Sequence, residues 1–163
     1  MAYLLDTNIF IQAHRLHYGM DFCPAFWDWL ERSNAAGQVF SIEKVSDELA
    51  EGKDQITEWA EKRGEKFFLP PDNAVLVAMQ QVSQWIAGQS FTPAAVSTFF
   101  QVADFYLVAH ALAHRHVVVT HEVPANSVNY VKIPNVCIGL GVKCVTPYEM
   151  LRKEKARFVL SGS

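Results

Sequence analysis

The chain has 163 residues, half of them apolar and 19% charged, with a formal net charge of -3. That length and balance suit one folded domain over residues 1–163 with a real core, and exclude a disordered tail. The slight negative charge gives no general pull toward nucleic acid, so such a partner must be drawn by a local patch or a metal. Cys23, Cys137 and Cys144 are odd in number and lack CxxC spacing. They fit reduced thiols of the cytoplasm better than a disulfide framework or a zinc site. No basic lead-in precedes the first apolar run, Asp6 interrupts it, and no apolar segment approaches membrane-spanning length. The expectation is a cytoplasmic protein with no membrane partner.

Tyr3-Leu4-Leu5 reads as a short buried strand, with Asp6 at its carboxyl end and Thr7 or Asn8 capping a helix through His17. Asp6 either caps that helix or faces a ligand where parallel strands end. His14 and His17 lie one turn apart and read as surface residues. Pro24 to Ala36 forms the next helix, with Phe26, Trp27 and Leu30 as its apolar stripe, Trp29 beside it and Gly37 as its stop. Val39-Phe40 is a second strand. Ser41 is placed to cap a helix over Ile42 to Glu51, on which Val45 and Leu49 face the core and Glu48 borders them.

Asp54 to Arg63 reads as a charged helix, and Phe67-Phe68-Leu69 as a short apolar segment. Asp72 caps a long helix to Ala87, and Thr92-Pro93 starts another toward Phe100. Ala103 to Ala113 carries apolar residues at Phe105, Val108, Ala109 and Leu112, the spacing of a helix face. Asp104 sits in its first turn, where the dipole favours a carboxylate. Val117-Val118-Val119-Thr120 is a β-branched run typical of a buried parallel strand, and Glu122 follows it. Val123 to Asn135 reads as an irregular loop, Val142 to Val145 as a last strand, and Thr146-Pro147 as the start of a helix through Arg152.

Strands and helices alternate, which predicts an α/β fold: a mostly parallel sheet with helices on both faces. Asp6 and Glu122 follow strands, while Glu48 and Asp104 lie on helices expected to pack beside them. Leu5-Asp6-Thr7-Asn8, Val45-Ser46-Asp47-Glu48-Leu49, Ala103-Asp104 with Leu107-Val108-Ala109, and Val119-Thr120-His121-Glu122 together resemble the PIN-domain family, including toxin nucleases of the VapC type. The resemblance spans nearly the whole chain. It implies a three-layer αβα fold with about five parallel strands, and an acidic cluster of Asp6, Glu48, Asp104 and Glu122 holding Mg²⁺ or Mn²⁺. Thr7 and Asn8 would orient Asp6, and Thr120 would support the site. It also implies endoribonuclease activity on RNA, leaving a 5′-phosphate and a 3′-hydroxyl, and an antitoxin seated in the acidic groove. Two departures stand out: Glu122 replaces the family's usual aspartate, and Asn126 and Asn129 lie where a further acid often follows.

The chemistry asks for such a set on its own account. Four carboxylates drawn together repel, and some take up protons unless cations intervene. Mg²⁺ favours oxygen ligands and keeps waters for substrate. A bound metal acidifies water, and a second one ~3.5–4 Å away could steady the leaving oxygen of an in-line displacement. His110 and His114 share a helix face, but Ala111 stands where HExxH needs its glutamate, so they read as helix-surface histidines. His121 reads as structural. Two other classes remain open. One is a PIN-fold scaffold that binds RNA or protein without cutting. The other is a phosphatase with Asp6 as nucleophile, against which Asn8 speaks because such enzymes carry a second aspartate two residues on. The aromatics at Phe26 to Trp29 and Phe91 to Phe100 suit an antitoxin, a homodimer or the core.

Overall fold

The computed structural model describes residues 1–161. Its five strands are β1 (Tyr3–Leu5), β2 (Val39–Ile42), β3 (Phe68–Leu69), β4 (Val117–Val119) and β5 (Cys144–Val145). They form one sheet in the order β3-β2-β1-β4-β5, with every pairing parallel. Leu4, Leu5, Val118 and Val119 are fully buried. Strands covered on both faces need continuous apolar runs, which is what these residues supply.

From β1 the chain moves outward through β2 to β3, then crosses back to β4 and on to β5. Right-handed crossovers therefore put the helices between β1 and β3 on one face, and those between β3 and β5 on the other. The first face holds α1 (Thr7–Gln12), continuing as a π-helical turn over Ala13–His17, with α2 (Pro24–Ala35), α3 (Glu43–Ala50) and α4 (Gln55–Arg63). An aromatic core fills it: Trp59 meets Phe10, Trp27 and Phe67 at centroid distances of 5.9, 5.1 and 5.3 Å. The second face holds α5 (Asn73–Ala87), α6 (Pro93–Gln101), α7 (Ala103–His114) and α8 (Ile133–Leu140), with α5 packed along α7. The last helix, α9, spans Pro147–Lys153. The three-layer α/β expectation holds.

Several local expectations change. Ser41 does not cap α3: it lies inside β2, and its buried hydroxyl donates to the Leu5 carbonyl at 2.6 Å. The loop after Glu122 ends at Lys132, because Pro134 falls in the first turn of α8, where its missing N–H costs nothing. His110 is buried, and that burial lowers its pKa to about 4, so it is not a surface histidine. His114 Nε2 is 2.8 Å from Asp72 Oδ2. Phe26, Trp27 and Phe99 are core residues, which removes them from any exposed partner surface.

Candidate active site

Strand order reverses direction between β1 and β4, since β1 leads to β2 on one side and β4 to β5 on the other. The crevice at the carboxyl ends of two such strands is where open α/β sheets hold ligands. Asp6 extends β1 by one ladder step, its N–H donating to the Val119 carbonyl at 3.0 Å. That step sets it beside Thr120, the residue after β4. Asp6 stands at the N-cap of α1, yet its carboxylate makes no cap bond. It accepts from the Thr120 hydroxyl instead, at 2.9 Å.

Thr120 serves two neighbours, because its Oγ1 also accepts the Glu122 N–H at 3.1 Å. Glu122 in turn reaches across the loop, its Oε2 accepting the Ile133 N–H at 2.8 Å. On the other side, the Thr7 hydroxyl donates to Glu48 Oε1 at 2.6 Å. Val45 and Leu49 bury the inner face of α3 and hold Glu48 at its border. Asp104 comes from the first turn of α7 and is half-buried.

All four acids line a single cavity of about 560 Å³, together with Thr7, Asn8 and the loop residues Asn129 to Lys132. The Thr7 hydroxyl is tied to Glu48, its backbone N–H alone favours the Asp6 carboxylate, and Asn8 is exposed on the cavity wall. Among the described residues no three His, Cys, Asp or Glu side chains converge into a ready ligand set. Glu48 is engaged by the Thr7 hydroxyl and Glu122 by the Ile133 N–H.

The charges conflict even so. Burial raises the Asp6 pKa to about 7, with Glu122 and Glu48 adding repulsion, while the Thr120 hydroxyl and Thr7 N–H pull it down. Burial likewise raises Asp104 to about 8, and Asp6, Glu122 and Glu48 push the same way. Near neutral pH these two carboxyls are therefore divided between protonated and ionised forms. An oxygen-only donor set with this excess of negative charge suits a hard divalent cation such as Mg²⁺ or Mn²⁺.

A parallel sheet with acids lining the cavity at its switch point defines an α/β protein with a candidate ligand site there. The chain belongs to the family described as domain of unknown function DUF4411, whose model matches residues 3–158. Its fold is similar to that in the crystal structure of VapBC2 from Rickettsia felis bound to a DNA fragment from their promoter, with a TM-score of 0.51 and 17% identity. That likeness covers 90% of this chain and 98% of the other, and at such identity it is a likeness of fold. No curated protein sequence matches the chain.

Proposed function

We propose that this protein is a PIN-type endoribonuclease that hydrolyses RNA phosphodiester bonds with Mg²⁺ or Mn²⁺ held by Asp6, Glu48, Asp104 and Glu122. The observation that carries this reading is that four acids from four separate segments line one cavity at the strand-order switch point. When bound, the cation supplies the charge that ionises water near neutral pH and offsets charge on the phosphate. The chain's own part is positioning. Thr120 holds Asp6 in one orientation, Thr7 holds Glu48, and the Ile133 amide holds Glu122. Water adds to phosphorus, the bond to the 3′ oxygen breaks, and that oxygen leaves as a hydroxyl.

The resemblance to a VapBC complex supports pairing with an antitoxin. No single helix among the described residues is long and apolar enough to cross a membrane. The decisive test is cleavage of total RNA in Mn²⁺ by wild type and Asp6→Asn. Equal rates would end the nuclease reading. One observation favours a scaffold that binds without cutting: Glu122 is already engaged by a backbone amide. Calorimetry with Mn²⁺ separates the two, since a scaffold gives no heat and no stabilisation.

A further inference from the structure

We infer that Tyr130 and Lys132 form the seat of a single-stranded RNA, with one base stacked on the Tyr130 ring and a neighbouring phosphate held by Lys132. The inference rests on the nuclease reading for its substrate, and it names the form that substrate takes. Both residues line the cavity that the acids line. Tyr130 is 66% exposed, which leaves its side chain accessible to a ligand entering the cavity. The Lys132 ammonium lies 5.7 Å from the ring centroid, so ring and charge present one composite surface.

Lys132 is also the one cationic residue lining that cavity, against Asp6, Glu48, Glu51, Asp104 and Glu122. Among the described residues it makes no ion pair, although carboxylates line the same walls. Lys132 is thus the point on that wall where a side-chain charge attracts an entering phosphate. The loop carrying the pair is pinned along its length. Asn135 exchanges two hydrogen bonds with Ala125, both at 3.0 Å, and the Val128 carbonyl accepts the Thr92 N–H at 2.9 Å. Glu122 fixes the far end through Ile133. Tyr130 is thus presented from a held backbone, which reduces what ordering it on binding would cost. Stacking on a ring requires a base face free of its own neighbours, which single strands supply and duplexes do not.

The test is fluorescence anisotropy with a labelled uridine oligomer in Mn²⁺, in the Asp6→Asn background so that the strand stays intact. Tyr130→Ala is expected to weaken binding about tenfold, the loss typical of one stacked base. Tyr130→Phe keeps the ring and should keep the affinity. Lys132→Ala should weaken binding and flatten its salt dependence. The same oligomer in a duplex should bind less well than the single strand. Unchanged affinity in Tyr130→Ala, equal binding of the duplex, or no binding of the single strand each overturns the seat. Cleavage by protein with Asp6 intact is measured alongside, where Tyr130→Ala should raise KM with kcat largely kept. If wild type cuts no faster than Asp6→Asn but Tyr130→Ala still loses binding, the nuclease reading falls and the seat stands. If wild type cuts and Tyr130→Ala matches it in KM and affinity, the seat falls alone.

Discussion

Thr120 and Asp6 directly follow two neighbouring parallel strands, 114 residues apart in sequence, and their side chains meet at 2.9 Å in a buried hydrogen bond. The hydroxyl acts as donor to Asp6 and as acceptor for the Glu122 N–H, so one small side chain sets two acids at once. Thr120→Val keeps the shape and removes both functions. Its expected cost is about 1–3 kcal/mol of stability, from the buried carboxyl left without its donor. RNA cleavage should fall roughly tenfold or more, through lost orientation of Asp6. Thr120→Ser should retain most of both. Urea unfolding and cleavage rates for the two variants check this, and equal loss in the serine variant would count against the hydroxyl.

The raised carboxyls make a sign-specific prediction about pH. In the folded chain Asp6 and Asp104 bind protons up to about 7 and 8, against an unperturbed 3.8. The folded state therefore holds more protons than the unfolded state between about pH 4 and pH 8. Their contribution is fully present below 3.8 and is lost as pH rises through 7 to 8. Metal-free protein should thus lose stability across that window. Asp104→Asn, which cannot ionise, should flatten the slope and stabilise the metal-free protein at pH 8 by roughly 1–3 kcal/mol. Thermal melts from about pH 5 to about pH 9 in a chelator decide it, a range that runs below and above both raised values. A melting temperature that rises with pH in wild type would contradict the assignment.

Metal binding should carry the same signature in reverse. A cation needs the ionised carboxylates, so its uptake releases protons wherever Asp6 and Asp104 are partly protonated. Mn²⁺ affinity is expected to climb by well over tenfold from about pH 6 to about pH 8, as the ionised fractions of both groups rise. Calorimetry in two buffers of different ionisation enthalpy reads the proton release directly. No difference between the buffers near neutral pH would mean that these acids are not the ligands.

The fold is legible from the chain because strands covered on both faces need no periodicity. Leu4, Leu5, Val118 and Val119 stand out as bare apolar runs, and helices between and after them carry caps such as Asp72 and Thr146. Side-chain roles that depend on distant partners are not legible in that way. A serine just before a charged helical stretch looks like a cap, but the Ser41 hydroxyl finds the Leu5 carbonyl 36 residues away. Glu48 beside an apolar stripe is ambiguous until Thr7 comes within 2.6 Å of it. The start of α8 had a readable signal in Ile133-Pro134, obscured by the Asn- and Pro-rich stretch before it. Tyr130 and Lys132 had none, since only the folded loop turns them to the cavity.

Tight packing between α5 and α8 gives a stability prediction remote from the acids. A Cβ built on Gly139 would lie 2.1 Å from the Trp85 ring, well inside contact distance. Gly139→Ala must displace a partly buried indole, and overpacking of this kind costs about 1–3 kcal/mol. The urea midpoint should drop while the denaturant slope stays unchanged. Trp85→Ala should relieve the clash, so the double variant should lose less than the sum of the singles.

Glu122 offers a reason for its own extra methylene. Its carboxylate spans the loop to the Ile133 N–H at 2.8 Å, at the start of α8, where the helix dipole favours a negative charge. An aspartate, the residue usual in the PIN family, is one carbon shorter and would not reach that amide from the same backbone. Glu122→Asp is therefore expected to loosen the segment 123–132 at its Ile133 end, the bonds to Asn135 and Thr92 remaining, and to cost about 1 kcal/mol. Glu122→Gln keeps an acceptor oxygen at full length, so it should hold the loop while removing a charge from the cavity. Limited proteolysis separates the two effects: faster cleavage within 123–132 in the aspartate variant, and near wild-type resistance in the glutamine variant. RNA cleavage should show the opposite dependence, falling in Glu122→Gln because a charge is gone. If both variants resist protease equally, the long side chain is not what holds the loop, and Glu122 owes its length to something other than Ile133.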